Sequence, residues 1–210
     1  CRSCMVEIKG ERVLAPSCCR APAAGMEVTS NSDRAVRSQK MVVELLASDV
    51  PERVYKLDSE LDTWKRKLGI GKPRFPAREQ PAADLSHPAM AVNLDACIQC
   101  NRCQRACREE QVNDVIGMAF RGSHAQVVFD LADPMGASSC VACGECVQAC
   151  PTGALMPKTH MGAQSVEKSV DSVCPFCGVG CLITYNVKDN AIISVIGRDG
   201  PANHGRLCVK

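Results

Sequence analysis

The chain has 210 residues, enough for one or two ordinary domains, and 25 basic against 23 acidic side chains give it a net charge of +2. The two signs are mixed, which excludes a nucleic-acid footprint, and no apolar stretch approaches the roughly 18 residues that span a bilayer. Sixteen cysteines stand against four Phe, two Tyr and one Trp, a balance that leans on metals or disulfides rather than on a thick apolar core. The cysteine spacing decides for metal, and thiols kept for metal point to a reducing compartment.

In residues 1–50, Cys1, Cys4 and Cys18 stand in C-x2-C-x13-C spacing. Met5, Val6 and Ile8 face Val13 and Leu14 across Lys9-Gly10-Glu11, a predicted hairpin. The cysteines resemble the last three ligands of a plant-type 2Fe-2S centre. Together with the hairpin they resemble the β-grasp ferredoxin domain at the front of the complex I large iron–sulfur subunit. The resemblance implies a 2Fe-2S cluster on Cys1, Cys4 and Cys18, incomplete because its first ligand would lie upstream. Cys19 reads as a bystander, since Pro16-Ser17-Cys18 is the better match. Ser32 or Asp33 caps a helix to about Ala47, with Val36, Val43 and Leu46 on one side.

Residues 51–88 read as a helical segment and a linker. Ser59 starts a helix with Leu61, Trp64 and Leu68 at helical spacing and Gly69 as its stop. Trp64 is expected in a core or interface. Pro73, Pro76, Pro81 and Pro88 mark the linker. Relatives with a β-grasp front often carry a His-x3-Cys-x2-Cys-x5-Cys site here. This stretch has no cysteine, and His87 reads as a loop histidine. That departure argues against a standard complex I subunit or an iron-only hydrogenase.

Residues 89–160 hold the densest motif. Cys97, Cys100, Cys103 and Cys107 form a C-x2-C-x2-C-x3-C run, and Cys140, Cys143, Cys146 and Cys150 repeat it before Pro151. The repeat resembles the bacterial double 4Fe-4S ferredoxin, in which three neighbouring thiolates hold one cube and the fourth ligates the other. The resemblance implies Cys97, Cys100, Cys103 and Cys150 on one cube, and Cys140, Cys143, Cys146 and Cys107 on the second. Structural zinc also takes four thiolates, but usually from separated C-x2-C pairs. Arg108 replaces the proline of the second run, which bears on the local turn and not on ligation. Between the runs, Ala125 to Leu131 alternates like an edge strand.

In residues 170–210, Cys174, Cys177, Cys181 and Cys208 stand in C-x2-C-x3-C-x26-C spacing. Two predicted strands, 182–187 and 191–196, separate the third ligand from the fourth, with Lys188-Asp189-Asn190 as their turn. Four thiolates can take zinc or a 4Fe-4S cube. The stretches Cys174-Pro175-Phe176-Cys177-Gly178-Val179-Gly180-Cys181 and Gly205-Arg206-Leu207-Cys208-Val209-Lys210 resemble the opening of a molybdopterin oxidoreductase, most of all formate dehydrogenase catalytic subunits. The resemblance implies a third cube. It also implies an electron-path role for Lys210, between cube and pterin.

The expected fold is therefore α+β: a β-grasp 2Fe-2S-like front, a double 4Fe-4S ferredoxin domain, and a small β-rich 4Fe-4S domain opening a molybdopterin oxidoreductase. Taken in this order, the modules resemble the front of the alpha subunit of cytoplasmic NAD-linked formate dehydrogenases. Both ends interrupt cysteine motifs, so the chain reads as a fragment. The resemblance places a bis-molybdopterin guanine dinucleotide with molybdenum or tungsten in a downstream domain. Its implied partners are flavin/NAD-binding and 2Fe-2S subunits, with neither nucleic acid nor a membrane span. The rival readings are another molybdopterin oxidoreductase, of the nitrate reductase type, and a free-standing polyferredoxin.

Overall fold

The computed structural model describes residues 2–50, 56, 59–162 and 165–209, so Cys1 and Lys210 lie outside the described residues. These residues form two compact units. One holds residues up to 50 together with 60–78, and the other holds 56, 59 and 79–209.

In the first unit, strand β1 (Met5–Ile8) is central in an antiparallel sheet of order β2-β1-β3, with β2 at Ala15–Pro16 and β3 at Val28–Thr29. Val6 and Ile8 alternate inward with Ala15 and form a small core that Met26 covers. The predicted hairpin is present, but its return strand starts at Ala15. Val13 is left 59% exposed, because the chain needs the extra residues after the Gly10 turn before it can pair. Helix α1 (Asp33–Ser48) starts where Ser32 Oγ accepts the Ala35 N–H at 3.3 Å. Its buried face is Ala35, Val43, Glu44 and Ala47, and the helix packs on β1. The Glu44 carboxylate is held by Arg74 Nε and Nη2 at 2.7 Å each and by the Arg74 N–H at 3.1 Å.

Helix α2 (Glu60–Lys67) ends as expected. Gly69 is left-handed (φ 62°), and Gly69 N and Ile70 N close on the Arg66 and Lys65 carbonyls. Trp64 does not enter the core. It is 46% exposed, with Lys67 Nζ 4.6 Å from its ring, so Leu61 alone carries the buried face.

In the second unit, β4 (Met90–Val92) pairs antiparallel with β7 (Leu155–Pro157). The hairpin β5–β6 (Ile116–Ala119 with Gln126–Phe129) buries Ile116, Val127 and Phe129 against the β4–β7 pair. Val128 and Asp130 point away, as the alternation required. Helices α3 (Arg102–Arg105) and α4 (Glu145–Ala149) are short and touch each other.

Residues 79–88 do not behave as a free linker. Asp84 bridges Val92 through both backbone groups, and its carboxylate accepts from Ser86 N at 2.9 Å and Met135 N at 2.6 Å. His87 is buried, and its Nδ1 accepts from Ala89 N and Met90 N at 3.2 and 3.1 Å. It fixes the entry into β4. Burial, and then the Lys158 charge, hold its pKa below the ordinary histidine value.

The final element is a sheet of order β10-β9-β8, with β8 at Lys168–Val173, β9 at Leu182–Lys188 and β10 at Ala191–Gly197. The β9–β10 hairpin and its Asp189-Asn190 turn, both left-handed, match expectation. β8 had no sequence signal, because its KSVDSV run is polar and almost wholly exposed. Among the described residues no helix is long and apolar enough to cross a membrane.

Candidate iron–sulfur centres

Two recesses lie in the core of the second unit. One is lined by Cys97, Cys100, Cys103 and Cys150. The other is lined by Cys107, Cys140, Cys143 and Cys146. Each recess thus brings three thiols of one run together with the last thiol of the other. Each recess takes three thiols from its own loop and helix, and a fourth from the end of the other helix. Cys150 follows α4, and Cys107 follows α3 within a single π-helical turn, Ala106–Glu110. Contact between α3 and α4 thus makes each site depend on both halves.

The loops share a backbone device. Gln99 and Ala142 occupy left-handed backbone (φ 54° and 56°), as do Asn101 and Gly144 (61° and 85°). These turns aim Gln99 N at Cys97 Sγ and Ala142 N at Cys140 Sγ, each at 3.4 Å. Left-handed Gln and Ala are strained, and such strain collects at functional sites. Leu155 N lies 3.4 Å from Cys150 Sγ, the Thr152 hydroxyl bonds the Ala96 carbonyl at 2.6 Å, and Lys56 Nζ donates to the Cys150 carbonyl at 3.2 Å.

The thiols are costly to ionise without a cation. Burial pushes Cys103 up to about 12, and burial likewise raises Cys100, Cys140 and Cys146. Ligation must release those protons, so a cationic group supplies what the apolar walls cannot. Among the described residues no three His, Cys, Asp or Glu are drawn together as ligands of one ion. Four thiols spread around a recess wall suit a polynuclear group, in which each sulfur meets its own iron.

The third set is more open. Cys174 and Cys181 are half-buried, and Cys177 and Cys208 are exposed. The Cys174 N–H donates to the Cys181 carbonyl at 2.9 Å, closing a loop in which Gly178 and Gly180 are left-handed. The long spacer before Cys208 is drawn back by Asn203, a buried residue that the sequence did not single out. Its amide bonds Leu182 N and O, Arg198 O and Arg206 O at 2.7 to 3.1 Å. Gly197 passes so near that a Cβ on it would stand 2.5 Å from the Gly205 carbonyl. The segment before Cys208 is thereby fastened to Leu182, the neighbour of Cys181.

In the first unit, Cys4 Sγ and Cys18 Sγ are 3.2 Å apart. Cys19 Sγ, read as a bystander, stands 3.5 Å from Cys18 Sγ. Hydrogen bonds from the Cys18 backbone and thiol lower the Cys4 pKa. The Cys4 and Cys19 thiols push Cys18 up to about 11.

Comparison with known proteins bears on the two larger arrangements. Residues 96–155 match the 4Fe-4S dicluster domain, and residues 167–210 match the molybdopterin oxidoreductase Fe4S4 domain.

Over all of its length it is 31% identical to an NADH-quinone oxidoreductase subunit of Rhizobium meliloti (strain 1021), covering 25% of that protein. It is 24% identical, again over its full length, to a candidate formate dehydrogenase of Staphylococcus haemolyticus (strain JCSC1435), covering 26% of it. The chain thus spans about a quarter of the length of the curated relatives it matches. A crystal structure of an NAD+-reducing [NiFe]-hydrogenase in the H2-reduced state shares the fold. Its TM-score is 0.71 at 24% identity, over 80% of this chain and 73% of that one. The missing middle cysteine site, expected to set the chain apart from complex I subunits, coexists with similarity over this whole chain to a quarter of a quinone oxidoreductase subunit.

Proposed function

We propose that this chain is the electron-conducting front of a pyridine-nucleotide-linked oxidoreductase subunit related to molybdopterin enzymes. Three 4Fe-4S clusters sit on Cys97, Cys100, Cys103 and Cys150, on Cys107, Cys140, Cys143 and Cys146, and on Cys174, Cys177, Cys181 and Cys208. A 2Fe-2S centre uses Cys1, Cys4 and Cys18. The observation that carries this reading is the pair of recesses, each walled by four thiols in the crossed grouping. When bound, such clusters supply one-electron carriers whose potentials follow from charge, burial and hydrogen bonds to sulfur.

The chain's own residues do the rest. Gln99, Ala142 and Leu155 offer N–H groups to ligand sulfurs. Met90, Phe129 and Met135 wall the second recess against water. Lys56 brings a cation to the Cys150 carbonyl.

The finer proposal is a cytoplasmic formate dehydrogenase. Its molybdenum or tungsten pterin site lies downstream, Lys210 lies on the electron path, and partner subunits carry flavin and NAD. The Cys174–Cys181 and Gly205–Lys210 stretches support it. A second reading, an NADH-linked relay without formate chemistry, is supported by the higher identity to the quinone oxidoreductase subunit. Two measurements on the anaerobically reconstituted full-length protein decide. About twelve iron per chain in the three larger sets is expected, and stoichiometric zinc with no broad visible absorption would refute it. Cluster reduction by formate selects the first reading, and reduction by NADH alone selects the second.

A further inference from the structure

The third cysteine set meets the second recess through one close contact. Val209 follows Cys208 and lies against Gly144, which stands between Cys143 and Cys146. A Cβ on Gly144 would come within 2.7 Å of Val209 Cγ1 and 3.2 Å of Val209 N, so a side chain there would force the two segments apart. Gly144 is also left-handed, the conformation that glycine adopts without strain. Val209 packs on the core that holds both recesses. Two side chains of the α4 region flank the contact. Gln148 Nε2 donates to the Leu207 carbonyl at 2.6 Å, and Arg206 Nη1 reaches Glu145 Oε2 at 3.3 Å and Glu110 Oε2 at 3.9 Å.

We propose that Arg206, Leu207 and Val209 form a latch that seats the Cys208 set on the Cys107/Cys140/Cys143/Cys146 site. With clusters in place, this latch would fix the spacing across which one electron could pass between those two sets. The proposal rests on the three sets holding clusters, as argued above. Adding the covalent spacings to the Gly144–Val209 contact puts the Cα atoms of Cys143 and Cys208 about 11 Å apart at most. The step moves one electron from one set to the other. No bond forms or breaks, and no proton is transferred. Gln148 and Arg206 touch no ligand thiol, so they act as positioning residues.

The test uses the full-length protein, reconstituted with iron and sulfide and reduced with dithionite. Paramagnetic resonance reads the magnetic interaction between centres, and hydrogen exchange reads protection at Leu207 to Val209. Iron is counted first. A wild-type protein without iron would overturn the functional reading, and this proposal with it, before any variant is made.

In the paired variant Gln148→Ala with Arg206→Ala, the interaction between the third and second centres is expected to be lost. Exchange at 207–209 speeds up, while iron content and the interaction between the two recess centres stay as in wild type. Gly144→Val is expected to do the same more severely. Because Gly144 also lines the recess, the surface pair carries the test if that variant loses iron. An interaction that persists in the surface pair despite faster exchange overturns the proposal. So does a third centre that couples in wild type to the Cys97 set instead.

Discussion

Asn203→Ala tests how the third set is assembled. Asn203 is only 7% exposed, and its amide makes four contacts to backbone groups. Oδ1 accepts from Leu182 N at 3.0 Å, and Nδ2 donates to Leu182 O and Arg198 O at 3.1 Å and to Arg206 O at 2.7 Å. An amide nitrogen has two hydrogens, so three acceptors share two donors and the side chain is worth about three full bonds. At roughly 0.5–1.5 kcal/mol net per bond, alanine costs about 1.5–4.5 kcal/mol. The loss falls on the loop that brings Cys208 back to Cys181, and it raises the open population roughly ten- to a thousandfold. Hydrogen exchange at Leu182 N, which loses its Asn203 acceptor, reads this opening directly. Iron in the three larger sets is expected to fall from about twelve to about eight per chain, the share of one cube. Unchanged exchange at Leu182 with iron still near twelve would refute the reasoning. The loop would then be held by the Gln148–Leu207 bond and the Gly197–Gly205 packing instead.

Four further outcomes are expected. Cys150→Ser should damage the same paramagnetic centre as Cys97→Ser, and Cys107→Ser the same centre as Cys140→Ser; spectra that group Cys150 with Cys140 would refute crossed ligation. Asp84→Asn removes a charged acceptor from the buried Met135 N–H at a cost of roughly 1.5–3 kcal/mol. Iron should leave the second recess, which Met135 lines, faster than the first, as followed by chelator competition. Glu44 lies below the ordinary carboxylate range because of the Arg74 hydrogen bonds. Its contribution to stability is therefore full above the unfolded carboxylate pKa and is lost as pH falls through the lower folded value. Acid titration of wild type against Glu44→Gln should show their stability gap closing on the acid side. Lys210→Ala in the full-length protein, with cofactor content verified, should slow formate-dependent cluster reduction strongly and leave NADH-driven reduction near wild type. Unchanged formate-dependent rates would remove Lys210 from the electron path.

What the sequence determined by itself is the local chemistry. A C-x2-C-x2-C-x3-C run confines three thiols to one turn and the next helical step, so their grouping hardly depends on the rest of the fold. The repeat at Cys140 carries the same constraint. The Ser32 cap, the Gly69 stop and the Asp189-Asn190 turn were legible for the same reason: each is set by its immediate neighbours in the chain. Asn101 and Gly144, at matching places in the two runs, were a readable signal for left-handed backbone. Gln99 and Ala142 were not, because nothing in those side chains favours it.

Only the tertiary structure decided what depends on partners distant in sequence. The α3–α4 contact delivers Cys107 and Cys150 to opposite recesses. Asp84 and His87, in a stretch that composition marked as linker, clamp β4 and Met135 because buried N–H groups required acceptors. Trp64 stayed outside because α2 has one apolar ridge and Leu61 fills it. β8 pairs through its backbone and through polar side chains, Ser169 with Asn186 and Asp171 with Thr184, so no apolar alternation marked it. The seat of Val209 on Gly144 joins residues far apart in the chain, at a spacing where no local pattern can be read. It is a close approach of two backbones, and only folding could reveal it.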